Sequence, residues 1–383
     1  MRDRGGLENR SSAARLAFFC ALLALLVLAA AALDAPASAQ DSLRNVEPES
    51  PTGGLVPGAP LGSDSDSEIW RAVREGAQGN VSIPDKQAGV LIQSEGDNWR
   101  AWRNGPLTVA GAWIVLGFVA LIALFFVFRG RIRIDAGPSG QTIERFNAVE
   151  RFAHWLTATC FVILALTGLN LLYGRHVLLP IIGPEVFSWL TIGGKYAHNY
   201  LAFPFMLGVV LMFVLWVRHN IPNRYDMVWI TQGGGLFSKG VHPPSRKFNA
   251  GQKLIFWSVI LGGLSLSLSG VALLFPFTIE PWQPTFEVIA ALGIKLPTAL
   301  TPMEEMQLSQ LWHGIVALVM IGIIIGHIYI GSVGMEGAFD AMGTGHGDEN
   351  WAREHHNVWV AEVKGEPIPD IDDYTSGSPH PAE

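Results

Sequence analysis

The stretch "QLWHGIVALVMIGIIIGHIYIG" (residues 310–331) is apolar enough to cross a membrane, yet it contains two histidines, His313 and His327. Fourteen residues along a helix rise about 21 Å and return to within about 40° of the same face. One helix therefore presents both imidazoles on one side, at opposite depths. Because polar side chains inside membrane helices are costly, they tend to be functional.

The composition of the whole chain agrees with a membrane protein. Its 383 residues are 49% hydrophobic and 15% charged, whereas a soluble domain has about 25% charged residues. The net charge of −7 comes without a basic stripe, which argues against nucleic-acid binding. The two cysteines, Cys20 and Cys160, are too few for a Cys-ligated iron–sulfur cluster, and they do not form the CxxCH motif of a c-type haem in this chain.

The N-terminal region has the pattern of a secretory signal over residues 1–39. Arginines precede the apolar run 16–33, and "ASA" (37–39) places small residues at a cleavage position. The run is long for a signal, so an uncleaved anchor is the alternative. Residues 40–106 are predicted to be a flexible linker followed by a small module rich in Trp and Arg.

Five apolar runs are long enough to span about 30 Å of hydrocarbon. They cover residues 107–128, 152–172, 197–217, 254–275 and 311–331. The sequence therefore predicts an integral membrane protein with five helices after removal of the signal.

The distribution of Lys and Arg predicts the orientation of these spans. Basic residues fill "RGRIRI" (129–134) and the loop 218–253, whereas the loop 276–310 has one lysine and several glutamates. Positively charged loops face the cytoplasm. We therefore expect a multi-pass protein of the bacterial inner membrane, with a periplasmic N-terminal segment and residues 336–383 as a cytoplasmic tail.

With this orientation the membrane histidines sort into two pairs by depth. His154 and His327 lie near the cytoplasmic ends of their spans, and His198 and His313 near the periplasmic ends. Neutral imidazoles from facing helices, above and below a flat macrocycle, are the ligands of bis-histidine haem b. The four histidines predict two haem b groups and a route for electrons across the bilayer.

Other interpretations stay open on these residues alone. A single histidine near a span end is often an interfacial residue bonded to a carbonyl, as it would be in a haem-free transporter or membrane anchor. A proton relay is a further alternative, but the five predicted spans contain no Asp or Glu.

Residues from about 143 to 363 resemble the cytochrome b (gamma) subunit of membrane-bound respiratory formate dehydrogenase. The matching motifs are "ERFNAVERFAHW" (144–155), "RHNIP" (218–222), "FNAGQKLIFW" (248–257), the His313/His327 helix and "WAREHHNVW" (351–359). The resemblance implies an all-α integral membrane protein. A four-helix dihaem cytochrome b domain (129–335) would follow one additional N-terminal transmembrane helix (107–128). The implied haem ligands are His154 with His327 and His198 with His313, which are the same pairs that membrane depth predicts.

The resemblance also implies a quinone site at "FNAGQK" (248–253), beside the level of His327. Asn249 and Gln252 would bond a quinone carbonyl, and Gly251 would leave room for the ring of menaquinone or ubiquinone. Asn249 is also a plausible helix N-cap, and the two roles need not exclude each other.

The function implied by the resemblance is that of an electron-transfer subunit of formate dehydrogenase, with the formate-oxidising site in another chain. A molybdenum or tungsten (alpha) subunit would oxidise formate, an iron–sulfur (beta) subunit would pass electrons to the haems, and quinone would be reduced on the cytoplasmic side. The alternative that shares the histidines is the cytochrome b subunit of a nickel–iron hydrogenase or of a thiosulfate or sulfite redox complex.

Overall fold

The structure, a computed structural model, describes residues 94–375. Within this range five helices are long and apolar enough to cross a membrane: Asn98–Arg129, Ala148–Val177, Leu179–His219, Ala250–Leu274 and Pro302–Gly334. The all-α membrane architecture predicted from the sequence is confirmed. The predicted signal and most of the predicted N-terminal segment lie outside the described residues.

The first membrane helix begins earlier than the sequence predicts. Helix α1 (Ser94–Trp102) continues through a π-helical turn (Arg103–Leu107) into α2 (Thr108–Arg129). Pro106 lies inside the π-helical turn, where the missing N–H of proline disturbs the regular hydrogen-bond ladder. The Trp- and Arg-rich residues from 94 onward are therefore the start of this helix and not a separate module.

The other elements follow in chain order. They are β1 (Thr142–Glu144), α3 (Ala148–Val177), α4 (Leu179–Trp216), α5 (Arg224–Thr231), α6 (Ala250–Leu274), α7 (Trp282–Ala291), α8 (Pro302–Tyr329), α9 (Ala338–Gly343), β2 (His346–Asp348), α10 (Glu349–Lys364) and α11 (Ile371–Thr375). The two short strands pair antiparallel, with Thr142 opposite Asp348 and Glu144 opposite His346.

Helices α3, α4, α6 and α8 form a four-helix bundle, and α2 packs against α8. Helix α4 is interrupted at Gly183, whose φ of 76° and ψ of 168° break the helical backbone. Close approach of α2 to α8 depends on Gly322, because a Cβ there would lie 2.6 Å from the Phe118 ring. Small residues at such contacts are the usual means of packing membrane helices.

Four helices of the bundle region begin with a capping box, in which the N-cap side chain and the side chain three residues later exchange bonds with the backbone. The pairs are Asn147 and Glu150 for α3, Asn223 and Asp226 for α5, Asn249 and Gln252 for α6, and Thr301 and Glu304 for α8. These caps fix where each helix starts, and so they fix the height of every side chain that follows.

The C-terminal region, predicted as a polar tail, is mostly folded. Strand β2 pairs with β1, and α10 buries Trp351, Val358 and Val360 against the end of the bundle. His356 is 1% exposed, and its Nδ1 donates to the Arg246 carbonyl at 2.9 Å. The expectation of a tail is wrong for this segment because its aromatic and β-branched residues pack under the membrane helices.

Candidate haem-binding site

Two pairs of histidines face each other inside the bundle. His198 on α4 and His313 on α8 have ring centroids 6.2 Å apart and ring planes inclined at 64°. His154 on α3 and His327 on α8 have centroids 6.1 Å apart and planes inclined at 62°. The structure brings together the partners that membrane depth predicts. We call His198 and His313 the anchored pair. We call His154 and His327 the ribbon-side pair, since they lie at the end of the bundle next to the two-stranded ribbon formed by β1 and β2.

Hydroxyl groups from two further helices hold the anchored pair. Thr167 Oγ1 on α3 lies 2.9 Å from His198 Nδ1, and Ser269 Oγ on α6 lies 3.0 Å from His313 Nδ1. Each hydroxyl also donates to a main-chain carbonyl of its own helix, at 2.8 Å for Thr167 and 2.9 Å for Ser269. Because that bond uses the hydroxyl proton, the oxygen accepts from Nδ1–H, and Nε2 carries the lone pair.

Glycines give the anchored imidazoles room. Gly168 and Gly270 directly follow the two hydroxyl residues. A Cβ at Gly168 would lie 3.5 Å from His198 Cε1, and one at Gly270 would lie 3.3 Å from His313 Cε1. The second distance is tighter than an ordinary van der Waals contact, so a side chain at Gly270 would press on the ring.

The ribbon-side pair has different surroundings. His154 Nδ1 is buried and has no hydrogen-bond partner in the described part of the chain. Trp155 packs edge-on against the His154 ring, with centroids 5.1 Å apart, and donates its Nε1–H to the Met342 carbonyl at 3.1 Å. Phe339 of α9 contacts Trp155 in turn. Aromatic rings in edge-on contact therefore flank His154, whereas hydroxyl groups flank the anchored pair.

A buried ion pair lies one helical turn from His154. Glu150, which is 6% exposed, accepts from Lys247 Nζ at 2.6 Å and from Trp216 Nε1 at 2.9 Å. The prediction of spans without acidic residues is wrong at the helix ends, because α3 starts at Ala148 and so includes Glu150.

Helix α8 also carries acidic residues beyond its predicted limits. Glu305 is 2% exposed and accepts from the backbone N–H of Trp282 at 2.8 Å and of Gln283 at 2.6 Å. A carboxylate at the first turn of α7 is stabilised by the unpaired N–H groups there. Glu305 therefore has a structural role at the end of the bundle where α7 lies.

The predicted quinone residues lie at the start of α6, and they contact each other. Asn249 Oδ1 accepts from Gln252 N at 2.9 Å, and Gln252 Oε1 accepts from Asn249 N at 3.2 Å. The N-cap role of Asn249 is thus confirmed. A Cβ on Gly251 would lie 2.8 Å from the Trp229 ring, so the space at this glycine is taken by Trp229.

Helix register brings this motif to the height of the ribbon-side pair. Gly262 of α6 lies opposite Met320 of α8, and Gly270 lies opposite His313. Residue numbers thus rise along α6 in the direction in which they fall along α8, so the two helices run antiparallel. The start of α6 therefore lies at the same end of the bundle as His327.

Arg145, just before α3, joins the motif to the ion pair. Its Nη2 donates to the Lys247 carbonyl and, at 3.4 Å, to Gln252 Oε1. Its Nη1 is buried and has no partner among the described residues. Burial lowers the pKa of Arg145 to about 9, although the charge of Glu150 acts in the opposite direction. At neutral pH the guanidinium is still charged, and both of its bonded acceptors are neutral oxygens.

One known protein family matches the part of the chain that contains these histidines. The family described as prokaryotic cytochrome b561 matches residues 145–345, just over half of the chain. The chain belongs to this family. Its membership, together with the five apolar helices, indicates a bacterial membrane protein, and the family implies binding of haem b.

Curated relatives of this cytochrome carry more specific names. It is 26% identical to the cytochrome b556(Fdn) subunit of the nitrate-inducible formate dehydrogenase of Escherichia coli K12, over 58% of this chain and 93% of the relative. It is 28% identical to the cytochrome b556(fdo) subunit of formate dehydrogenase from the same strain, over 58% and 94%. A formate dehydrogenase cytochrome b556 subunit of Haemophilus influenzae is 22% identical over 57% and 83%.

The histidine pairs of this cytochrome fit haem. An iron between two imidazoles would need two metal–nitrogen bonds of about 2 Å each. These bonds, together with the distance from each nitrogen to its own ring centre, add up to the centroid separations observed in both pairs. Among the described residues, no group of three or more His, Cys, Asp or Glu side chains is arranged to hold a metal ion. Two axial imidazoles are the set that a bis-histidine porphyrin requires.

The residues missed by sequence reasoning are Thr167, Ser269, Arg145 and Glu150, and an internal repeat could have revealed the first two. Residues 145–174, "RFNAVERFAHWLTATCFVILALTGLNLLYG", align without gaps with residues 247–276, "KFNAGQKLIFWSVILGGLSLSLSGVALLFP", and nine of the thirty positions are identical. The repeat superimposes the N-caps of α3 and α6. It also superimposes Thr167 on Ser269 and Gly168 on Gly270.

Proposed function

We propose that this cytochrome b is the membrane subunit of a formate dehydrogenase complex, and that it carries electrons through two haem b groups to quinone. The observation that carries the proposal is the presence of two separate histidine pairs, with ring centroids 6.1 and 6.2 Å apart, each of which has one member on helix α8. Their positions fourteen residues apart correspond to about 21 Å along the helix. The names of the curated relatives favour formate as the source of electrons.

His198 and His313 would hold one haem, and His154 and His327 the other. The bound haems supply reversible one-electron transfer. The protein holds the imidazoles in position, excludes water with apolar helices, and sets the local charge. The other family-level alternative, a hydrogenase cytochrome, would use the same ligands, so it differs in the donor and not in this geometry.

In this proposal Gln252 would act as a hydrogen-bond donor to quinone. Its Oε1 faces two N–H donors, those of Asn249 N and Arg145 Nη2. The amide NH₂ group must therefore point away from both, and it is available for a quinone carbonyl. The NH₂ group of Asn249 is available for the same reason, since its Oδ1 accepts from the backbone.

The ion pair near this motif supports proton supply to a reduced quinone. Lys247 and Glu150 have side chains 17% and 8% exposed, so the lysine is the more accessible member. Arg145 bonds the Lys247 carbonyl as well as Gln252, and one network thus connects the ion pair with the proposed quinone site. The basic loops near the proposed quinone site favour a cytoplasmic location for that site. In that case the protons for quinone reduction would be taken from inside the cell.

The remaining parts of the proposal concern partners and topology. Formate would be oxidised in a molybdenum- or tungsten-containing alpha subunit, and an iron–sulfur beta subunit would pass the electrons to the anchored haem. Residues 1–39 would be a signal peptide. The predicted segment 40–106 would lie on the periplasmic side, with its residues from 94 onward forming the start of the first membrane helix, and the dihaem domain would cover 129–335. The protein would lie in the inner membrane with its N-terminal segment in the periplasm.

The test uses membranes or purified complex from the native host, with total haem b measured by dithionite reduction. Formate should reduce most of this haem in the absence of a terminal acceptor, and added quinone should reoxidise it. Reduction by hydrogen but not by formate would contradict the proposed donor. The absence of any b-type absorption band in the dithionite sample would contradict the haem assignment itself.

A further inference from the structure

The anchored pair is built from two equivalent halves of the chain. In the first half, Thr167 of α3 contacts His198 of the following helix α4. In the second half, Ser269 of α6 contacts His313 of α8. The two hydroxyl residues occupy the same position of the internal repeat, and each is followed by glycine. The same contact between a hydroxyl group and an imidazole therefore occurs twice, once on each side of the space between the imidazoles.

We propose that Thr167 and Ser269 are matched positioning residues for a single haem. They hold His198 and His313 with Nδ1 protonated and Nε2 free for the iron, and they lower the midpoint potential of that haem. This inference rests on the proposed binding of haem by both histidine pairs.

The orientation follows from where the hydroxyl protons go. Thr167 Oγ1 donates to main-chain carbonyls at 2.8 and 3.0 Å, and Ser269 Oγ donates to carbonyls at 2.9 and 3.2 Å. Each oxygen is left as an acceptor for Nδ1–H. An imidazole that donates in this way is a more basic ligand through Nε2. A more basic axial ligand stabilises the ferric state, and this lowers the reduction potential.

The effect should be confined to one haem. Within the described residues, His154 Nδ1 has no hydrogen-bond partner, and the ring of His154 is flanked by Trp155 instead. In the repeat, His154 aligns with Phe256, so the ribbon-side pair does not share the duplicated arrangement. Loss of either hydroxyl should therefore change the anchored haem and leave the ribbon-side haem as it was.

The experiment is a redox titration of the full-length protein in its native complex, with electron paramagnetic resonance spectra of both ferric haems. The variants are Thr167→Val and Ser269→Ala. Thr157→Val and Ser267→Ala are matched controls on the same helices, because Thr157 and Ser267 bond only to carbonyls of their own helix, at 2.8 and 2.7 Å. Thr167→Ser and Ser269→Thr restore a hydroxyl group.

Both test variants should raise the potential of the same haem and shift its ferric signal. A tenfold change in the one-electron equilibrium corresponds to about 59 mV, and we expect a rise of this order. Loss of a hydrogen bond to a metal-binding imidazole also costs about 10- to 100-fold in metal-site affinity, so the anchored haem should be lost first on dilution. The matched controls should leave both haems unchanged, and the hydroxyl-restoring variants should return the potential towards that of the wild type.

The results that overturn the proposal are distinct from those that overturn the proposed function. If the two test variants affect different haems, or if neither potential moves, the positioning role is wrong. Equal shifts in the matched controls would also reject it, since they would reflect helix packing alone. A wild-type protein without b-type haem would instead reject the proposed function.

Discussion

The anchored and ribbon-side pairs each consist of two imidazoles, in different surroundings. The anchored imidazoles donate to Thr167 and Ser269, which are neutral and tied to their own helices. The ribbon-side pair lies near the charged groups Glu150, Lys247 and Arg145, of which only the first two form an ion pair. Two similar histidine pairs in one bundle therefore have different neighbours, which are neutral hydroxyl groups at one end and charged groups at the other.

In the proposed function, this difference would favour one direction of electron transfer. With haem bound at both pairs as we propose, the hydrogen bonds of the anchored imidazoles would favour ferric iron, and the buried guanidinium at the other end would favour addition of an electron. Arg145 is 3% exposed and its hydrogen bonds go to neutral oxygens, while the charge of Glu150, which is paired with Lys247, also acts on it. The proposed route from the anchored haem to the ribbon-side haem, and then to quinone, follows this difference.

Removal of one ligand from each pair should have the largest effect. His313→Ala should remove the anchored haem and His327→Ala the ribbon-side haem, because a single imidazole does not complete a bis-histidine site. Haem per chain should fall from two to one in each case, and the remaining haem should have a different potential in the two variants. Pyridine haemochrome analysis and redox titration measure both quantities.

His219→Ala is the control for these variants, because His219 is exposed and belongs to neither pair. It should keep both haems. Retention of full haem content in either of the two ligand variants would contradict the pairing.

Acid should act on the ribbon-side end of the molecule. Burial, then the charges of His242 and Arg145, lower the pKa of His355 to about 4, against the opposing effect of Asp135. As pH falls from about 6.5 towards 4 the unfolded chain binds a proton that the folded chain does not, so stability is lost over this range. The loss should reach about 3 kcal/mol.

Thermal unfolding in detergent between pH 7.5 and 4.5 measures this loss. His355→Gln, which cannot titrate, should show a smaller decrease across the same range. An identical pH profile for the variant and the wild type would show that His355 does not contribute.

Substitution of Gln252 should affect quinone more than stability. Gln252→Glu keeps the capping oxygen, as Glu150 shows in the equivalent position of α3, but it removes the NH₂ donor. Loss of one hydrogen bond should raise the KM for quinone about 3- to 10-fold, with haem content unchanged. Steady-state kinetics with a soluble quinone analogue give the measurement.

Gln252→Ala, compared with the glutamate variant, separates the two roles of this residue. It should show the same kinetic change and also lose about 1 kcal/mol of stability with its part of the capping box. Wild-type quinone kinetics in both variants would remove Gln252 from the site.

The smallest effect is expected at an ion-pair cluster on the surface, which is more exposed than the buried Glu150–Lys247 pair. Arg353 contacts Glu349 at 3.0 Å and Glu366 at 2.8 Å, but its side chain is 41% exposed. Arg353→Ala should therefore cost less than about 1 kcal/mol, with unchanged haem content and potentials. A larger loss on thermal unfolding, or any shift of a haem potential, would show that the ribbon-side end is coupled to α10.

The pairing of the histidines could be predicted from the sequence because membrane depth follows from hydropathy and Lys/Arg asymmetry. The cap at Asn249 follows from residue type and position in the same way. Thr167 and Ser269 were not predicted, since each meets its histidine on another helix, and their contacts depend on helix rotation, which hydropathy does not determine. The fold of the C-terminal segment was missed because Trp351 and His356 are buried by distant loops, and local polarity suggested a solvated tail.

The haem-to-protein ratio of the purified full-length chain tests the central claim most directly. Two histidine pairs, each sized for one iron, predict two haem b per polypeptide. A ratio of one in fully loaded protein would contradict the assignment of one of the pairs, and a ratio of zero would contradict both.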